Sequence, residues 1–241
     1  MTRSPDHPHR LRWFLAGILV GAALPGALRT LAAWRQNPNR FALAFYDLIA
    51  PIYDLWAGEE GFLAPVRQQL VDMLELGPGD RVLEVSVGTG ANLPLICGKV
   101  GPSGHVDGLD ISEGMLTQAR KKLSTLACPV ELRQGLAEDL PYADNTFDAV
   151  LHLGGINFFS DRRRALEEMA RVAKPGARIV VSDETAPHTD GLRAVLGQAV
   201  LQLVPRLRPP LDMVPAPHPE LRHLLGGYIY AIVWTKPTPS P

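Results

Sequence analysis

The sequence predicts an α/β fold with an open, doubly wound and mostly parallel sheet. Three observations support this prediction. Strand-like and helix-like apolar segments alternate between residues 81 and 183. Turn sequences rich in Gly and Pro precede several strands, and a glycine-rich turn follows the first strand. The chain has 241 residues, 46% of them hydrophobic, so we expect one main domain with a short extension.

The apolar periodicity places the elements of this sheet in alternating order. Strands are expected at 81–87, 105–110, 130–134, 147–153, 178–183 and 228–235. Helices are expected at 91–99, 113–126 and 161–172. The first and fifth strands are rich in β-branched residues, which is typical of strands buried on both faces of a sheet.

The segments that flank the sheet are less regular. Residues 41–76 are expected to be helical, and aromatic residues in them are by default packing residues. Residues 204–219 contain six prolines and cannot form a single helix. They are expected to connect the sheet to its last strand, and residues 237–241 form a terminal tail.

The turn after the first strand and the end of the second strand indicate a nucleotide-type cofactor site. Gly88 and Gly90 lie in the turn, and Asp110 closes the second strand about 20 positions later, where such folds place the carboxylate that holds a ribose. Leu93 occupies the third glycine position of the dinucleotide motif, so the turn alone is weak support. In the alternative interpretation, Asp110 or Ser112 only caps the next helix.

Four segments in this order resemble the motifs of class I S-adenosylmethionine-dependent methyltransferases, most closely the ubiquinone/menaquinone-biosynthesis type. These segments are 82–90, 108–112, 137–148 and 171–176. The resemblance covers residues 81 to about 185. It implies a Rossmann-like sheet of seven strands, S-adenosyl-L-methionine as the cofactor, and a catalytic domain at 41–236.

The resemblance also implies roles for individual residues around the cofactor. Asp110 would accept the ribose hydroxyls, because an ionised carboxylate is an acceptor-only group. Ile111 and Met115 would line one face of the adenine. Glu84 would bind the cofactor's ammonium group or ordered water around it, although a structural salt bridge is the alternative. Related enzymes close a Tyr-Asp…Tyr-Asp segment over the cofactor, so Tyr46 and Tyr53 are candidates for a lid.

Two positions depart from the family pattern. Ser86 stands where Gly is usual, so the glycine's conformational freedom is lost there. Leu136 stands where an Asp often accepts a hydrogen bond from the adenine amino group. We therefore expect backbone groups around Ala137 to hold the adenine instead.

A proton acceptor is harder to identify. His152 lies near the end of the fourth strand, and imidazole suits proton transfer near neutral pH. Asp183 follows the fifth strand and is similarly placed. The alternatives are a hydrogen-bonded structural histidine and a solvated or capping aspartate.

Composition limits the other classes of function. The net charge of −1 does not provide the basic surface that nucleic acid requires. Cys97 and Cys128 lack the spacing of a zinc site and indicate no disulfide framework, so no metal and a reducing, cytoplasmic setting are expected.

The amino-terminal segment, residues 1–40, differs in composition from the rest of the chain. Residues 13–28 carry no charge and are flanked on both sides by arginines. A spanning helix needs roughly 20 apolar residues, so the run is short for one. Three interpretations compete: a signal peptide, a membrane anchor or interfacial helix, and a buried helix of the domain. We expect membrane contact through this segment.

The sequence therefore predicts methyl transfer to a small, apolar acceptor that is quinone-like or another lipid-soluble metabolite. One alternative is a nicotinamide-dependent oxidoreductase, which shares the glycine-rich turn and the acidic residue. The other alternative is a non-catalytic binding protein on the same fold.

Overall fold

The computed structural model describes residues 37–185 and 207–238. In this part of the chain the helices are α1 (Pro38–Ala57), α2 (Ala64–Met73), α3 (Leu93–Val100), α4 (Glu113–Arg120) and α5 (Arg162–Val172). The strands are β1 (Arg81–Val85), β2 (His105–Asp110), β3 (Val130–Gln134), β4 (Phe147–Leu153), β5 (Ala173–Glu184), β6 (Glu220–Leu224) and β7 (Ile229–Thr235).

The strands form one sheet of seven in the order β3-β2-β1-β4-β5-β7-β6. All neighbours from β3 to β5 pair in parallel, and β7 is antiparallel to both β5 and β6. The predicted doubly wound, mostly parallel sheet is therefore confirmed. The order of the strands reverses between β1 and β4, and ligands of such sheets bind at the carboxyl ends of the strands at that point.

The edge strand β6 was not predicted from the sequence. Its five residues follow the proline-rich segment and pair only with β7. An edge strand has a neighbour on one side alone and carries a weak apolar pattern, here with one buried residue, Leu224. The helix expected at 113–126 also ends early, at Arg120, and a short 3₁₀ turn over Leu123–Thr125 follows it.

The two faces of the sheet carry separate apolar clusters, because side chains alternate along each strand. In β1, Val82 points into the cluster that contains Leu70 of α2 and Ile96 of α3. Leu83 points to the opposite face, into the cluster that contains Leu166 of α5. The sheet is thus covered on both sides, which holds the ends of β1 and β2 rigidly for the site described below.

The expectation of two unpaired thiols was wrong. Cys97 of α3 and Cys128, which precedes β3, form a disulfide bond with their Cα atoms 5.1 Å apart. The two residues are separated by 31 positions, and only the packing of α3 beside the sheet brings them together. The argument for a reducing setting from unpaired cysteines therefore no longer holds.

The apolar run at 13–28 lies outside the described residues. Across 37–185 and 207–238, the structure contains no helix that is both long and apolar enough to cross a bilayer.

Candidate functional site

A cavity lies at the carboxyl ends of the central strands, beneath α1. Together with its open mouth it spans about 640 Å³ of space. Most of the predicted cofactor contacts line it: Tyr46, Tyr53, Ser86, Gly88, Asp110, Ile111, Met115, Leu136 and Ala137. The other two, Glu84 and Gly90, do not line the cavity.

Asp110 is the buried carboxylate of the cavity. One of its oxygens accepts the backbone N–H of Gly88 at 2.8 Å, and the other accepts that of Ser112 at 2.9 Å. Burial raises the pKa of Asp110 to about 6, against these two hydrogen bonds, which favour the charged form. Each oxygen keeps a lone pair for a further donor, such as a ribose hydroxyl.

The capping interpretation of this segment is correct for Ser112 and compatible with a ligand role for Asp110. The side chain of Ser112 accepts the backbone N–H of Met115 at 3.0 Å and so caps α4. Asp110 precedes that cap and faces the cavity.

The glycine-rich turn combines three left-handed residues with different roles. Ser86 has φ 59°, so it adopts the conformation that the usual glycine would adopt. Gly88 has φ 56°, and a Cβ there would meet no atom within 4 Å, so the turn opens into the cavity. A Cβ at Gly90 would lie 2.8 Å from Leu93. Gly90 is therefore needed for close packing of the turn on α3.

Glu84 lies beneath the turn in a polar network that was not predicted from the sequence. One of its oxygens accepts from Asn92 at 2.5 Å, and Arg67 of α2 donates to the amide oxygen of Asn92 at 2.9 Å. Burial raises the pKa of Glu84 to about 7, against Asn92 and the positive charge of Arg67, which lower it. Among the described residues, no group donates a hydrogen bond to its second oxygen, Oε2.

Helix α1 forms the roof of the cavity and is anchored at its edges. Tyr46 and Tyr53, seven residues apart, both line the cavity, with ring centroids separated by 6.4 Å. The aspartate after each tyrosine holds the edge of the site: Asp47 accepts from Ser112 at 2.5 Å, and Asp54 accepts from Thr89 at 2.5 Å. The repeated Tyr-Asp pair thus places the aromatic rings inside and attaches the helix outside.

A third anchor lies at the start of α1 and was also missed from sequence. Asn39 donates to Glu138 at 2.9 Å, and Glu138 in turn accepts the backbone N–H of Ser160 at 2.8 Å. Asn39 and Glu138 both line the cavity. No local sequence pattern predicts this contact, since Asn39 and Glu138 are 99 positions apart.

The wall expected to hold the adenine is apolar. Ile111 and Met115 lie on the side of β2 and α4, and Leu136 and Ala137 lie on the loop after β3. The side chain of Leu136 is 41% exposed. It therefore provides an apolar edge to the cavity where the family pattern has a carboxylate.

His152 is fully buried on β4 and does not line the cavity. Its Nδ1 lies 3.1 Å from the carbonyl oxygen of Val85, so Nδ1 carries the proton and Nε2 carries the lone pair. Burial lowers its pKa to about 4. Its ring lies 5.1 Å from that of Phe159, which does line the cavity.

Asp183 is also buried, and the amide groups of the loop after β4 surround it. It accepts the backbone N–H groups of Gly155 at 3.2 Å, Asn157 at 3.0 Å and Glu184 at 2.7 Å. Burial raises its pKa to about 6, against these hydrogen bonds. Gly154 and Gly155 of that loop line the cavity, so Asp183 holds one wall in position.

These features fit S-adenosyl-L-methionine. Asp110 offers acceptors for a ribose diol, and the open space at Gly88 allows close approach of a ligand to the backbone. Glu84 lies beneath the turn and outside the cavity lining, so its unpaired oxygen Oε2 would act on a cationic group of the ligand through ordered water. Gly88, Asp110, Ile111 and Met115 are the lining residues that would hold it.

Comparison with known proteins also indicates a methyltransferase. Residues 83–181 match the family model of the methyltransferase domain. A demethylmenaquinone methyltransferase of Listeria monocytogenes is 33% identical over 163 residues, which are 66% of this chain and 69% of that protein. Another, of Bacillus cytotoxicus, is 35% identical over 130 residues, 54% of this chain and 55% of that protein. The chain therefore spans between about half and two thirds of the length of these relatives.

Solved structures show the same fold. A SAM-dependent methyltransferase from Aquifex aeolicus matches with a TM-score of 0.53 at 24% identity. The aligned part covers 70% of this chain and 89% of that protein's chain. A SAM-dependent methyltransferase from Thermotoga maritima, described as a possible histamine N-methyltransferase, matches with a TM-score of 0.58 at 23% identity. The aligned part covers 80% of this chain and 99% of that protein's chain. The family match decides between the two cofactor alternatives in favour of S-adenosyl-L-methionine. This chain belongs to the S-adenosylmethionine-dependent methyltransferases with the class I, Rossmann-like fold.

Proposed function

We propose that this protein transfers a methyl group from S-adenosyl-L-methionine to a small, apolar, quinone-like acceptor of the demethylmenaquinone kind. The observation that carries the proposal is the aromatic wall of the cavity. Tyr46, Tyr53, Phe158 and Phe159 line it and offer flat apolar surfaces to a ring. The relatives named as demethylmenaquinone methyltransferases support the same class of acceptor.

When bound, the cofactor supplies an electrophilic methyl group: the acceptor atom bonds to the methyl carbon, the carbon–sulfur bond breaks, and the acceptor loses a proton. The protein's task is to align the two molecules and to exclude water. Asp110 and the turn at Gly88 would hold the cofactor, and α1 with Tyr46 and Tyr53 would close over it.

The protonation states of the buried side chains limit which of them could accept the acceptor's proton. Burial raises the pKa of Tyr46 well above its ordinary value and that of Tyr53 to about 12, so both phenols stay protonated at neutral pH. His152 is neutral with its lone pair at Nε2, but it is fully buried behind Phe159 and outside the cavity lining, so it would reach an acceptor only after the Phe159 ring moves aside. Asp183, bound to two amides of the loop after β4 and to that of Glu184, is a positioning residue in this proposal.

The place of action is a further part of the proposal. Residues 13–28 are uncharged and flanked by Arg10, Arg12, Arg29 and Arg35, which suit anionic headgroups. We assign them contact with the membrane in which a lipid-soluble acceptor would be dissolved. Deleting residues 1–36 should weaken binding to vesicles and leave cofactor binding intact.

The direct test uses the full chain, the cofactor and a reduced demethylated naphthoquinone with a short, water-soluble side chain. We expect release of S-adenosylhomocysteine and, by mass spectrometry, an acceptor with one hydrogen replaced by methyl. The same quinol already methylated on its ring is the matched control and should release nothing. Cofactor binding without turnover of this acceptor would disprove the acceptor class, and absence of cofactor binding would disprove the assigned site.

A further inference from the structure

Helix α1 has a second, outward apolar face that the cavity does not use. Its exposed large side chains are Phe45 (41% exposed), Leu48 (79%), Ile52 (50%) and Leu55 (84%). We propose that this outer stripe docks on the surface of a lipid bilayer, so that the roof of the site is the part of the domain that meets the membrane. The inference rests on the proposed lipid-soluble acceptor and deepens it.

The spacing of the stripe places its members on one side of the helix. Steps of three, four and three residues return to the same face after each turn. The other face carries Tyr46 and Tyr53 to the cavity. Leaving large aliphatic side chains in water costs free energy, and a contiguous exposed patch of them marks an interaction surface.

The stripe is connected to the cavity by aromatic contacts. Phe45 stacks on Phe41 with ring centroids 6.0 Å apart, and Phe41 stacks on Phe158 at 6.1 Å. Phe45 also meets Tyr46 edge-on at 5.3 Å. Phe158 and Tyr46 both line the cavity, so apolar surface continues from the outside of α1 to the inside of the site. An acceptor that leaves a bilayer at this face would meet aromatic rings throughout.

The chain that precedes α1 argues for lipid over a protein partner. Thirty-six residues lie before Asn37, where the described structure begins, and among them 13–28 carry no charge. A segment of that composition, laid along a single stripe, would leave most of its own apolar surface in water, whereas a bilayer covers all of it. Arg35 and the exposed Arg40, at the junction with α1, complement anionic headgroups.

The experiment measures the polarity around the stripe with a dye attached to it. Ile52→Cys in the full chain receives an environment-sensitive dye, and Leu225→Cys, at a residue that is 44% exposed between β6 and β7, is the matched control. Cys97 and Cys128 are disulfide-bonded and stay unlabelled. Vesicles contain equal amounts of phosphatidylethanolamine and phosphatidylglycerol. We expect a blue shift of the dye at position 52 and none at position 225.

The stripe is then altered in the labelled chain. Leu48→Asp with Leu55→Asp should abolish the shift at position 52 and weaken vesicle partitioning by about tenfold for each leucine. Cofactor binding should stay unchanged, since neither residue lines the cavity. The matched substitution Leu225→Asp should change neither quantity.

Each other outcome overturns the inference and identifies its replacement. A chain that floats with vesicles without a shift at position 52 is held by its amino terminus alone. A shift that depends on protein concentration and not on vesicles indicates a second copy of the chain. A dye already shielded in dilute solution, and exposed by deletion of residues 1–36, indicates that the chain's own amino terminus covers the stripe. None of these readouts needs turnover, so they stand apart from the test of the acceptor.

Discussion

Asp47 of α1 and Ser112, the N-cap of α4, are joined by a hydrogen bond of 2.5 Å across 65 positions of sequence. The same carboxylate oxygen also accepts the backbone N–H of Gly114 at 3.0 Å. Ser112 in turn donates its own N–H to Asp110. The roof of the cavity is therefore attached to the segment that presents the ribose-binding candidate.

The anchors of α1 should contribute to cofactor affinity. We expect Asp47→Ala and Asp54→Ala each to weaken binding by about 1–2 kcal/mol, because each removes hydrogen bonds that hold the roof closed. Glu60→Ala, at an exposed position after the same helix, is the control and should bind as the parent does. Isothermal titration calorimetry measures the difference, and unchanged affinity in both variants would show that the helix does not close the site.

Asp110 should matter more than any other side chain for cofactor binding. We expect Asp110→Ala to weaken binding by about 1–3 kcal/mol, the cost of leaving buried hydroxyls without an acceptor. Glu84→Gln should lose less, because its shape and its contact with Asn92 survive. Thermal unfolding without cofactor must be recorded beside the titration, since Asp110 also binds the amides of Gly88 and Ser112. Equal affinity of Asp110→Ala and the parent would contradict the placement of the ribose.

The buried carboxylates predict how stability depends on pH without cofactor. Burial raises the pKa of Glu84 from 4.5 to about 7 and that of Asp110 from 3.8 to about 6. The folded protein therefore binds these protons more tightly than the unfolded chain, so this contribution is present at low pH and lost as pH rises through the folded values. The free energy of unfolding should fall between about pH 4 and 7.

His152 acts in the opposite direction in the same experiment. Its pKa is lowered from 6.5 to about 4, so its buried neutral form adds stability as pH rises across that interval. The double variant Glu84→Gln/Asp110→Asn should show a shallower decline than the parent in denaturant titrations. A parent whose stability rises steadily from pH 4 to 7 would show that the carboxylates are not buried as described.

Ser86 offers a test of backbone strain in the turn. A non-glycine residue at φ 59° costs roughly 1 kcal/mol relative to glycine, partly offset by the greater freedom of glycine in the unfolded chain. We expect Ser86→Gly to raise the free energy of unfolding by up to about 1 kcal/mol. Ser86→Ala keeps the strain and removes only the hydroxyl, so it separates the two effects. A destabilised Ser86→Gly would mean that the hydroxyl is the more important feature.

His152 is tested by separating turnover from binding. If it accepts the proton, His152→Gln should lower kcat by about 10²–10⁴-fold while leaving cofactor affinity within a factor of a few. It should also remove the acidic limb of the pH profile. Phe159→Leu, which changes the neighbouring ring and no titrating group, is the control for packing. A variant that loses melting temperature but keeps kcat would assign His152 a structural role.

Much of the fold was predictable because it depends on local patterns. The spacing from Gly88 to Asp110, the apolar strands and the turn sequences before them indicate a parallel sheet and a cofactor crevice at its carboxyl edge. The bounds of β2, β3 and β4 were predicted without error. The edge strand β6 was missed because a strand with one neighbour needs little apolar periodicity.

The sequence by itself determined the class of the fold, the cofactor motif and nine of the residues that line the cavity, because each of these is encoded within a short stretch of chain. Only the tertiary structure decided which distant groups meet. Examples are the disulfide of Cys97 with Cys128, the contact of Arg67 with Asn92, and the bond between Asp47 and Ser112. The physical reason is that such contacts depend on how helices pack across the sheet, a property that no local spacing records.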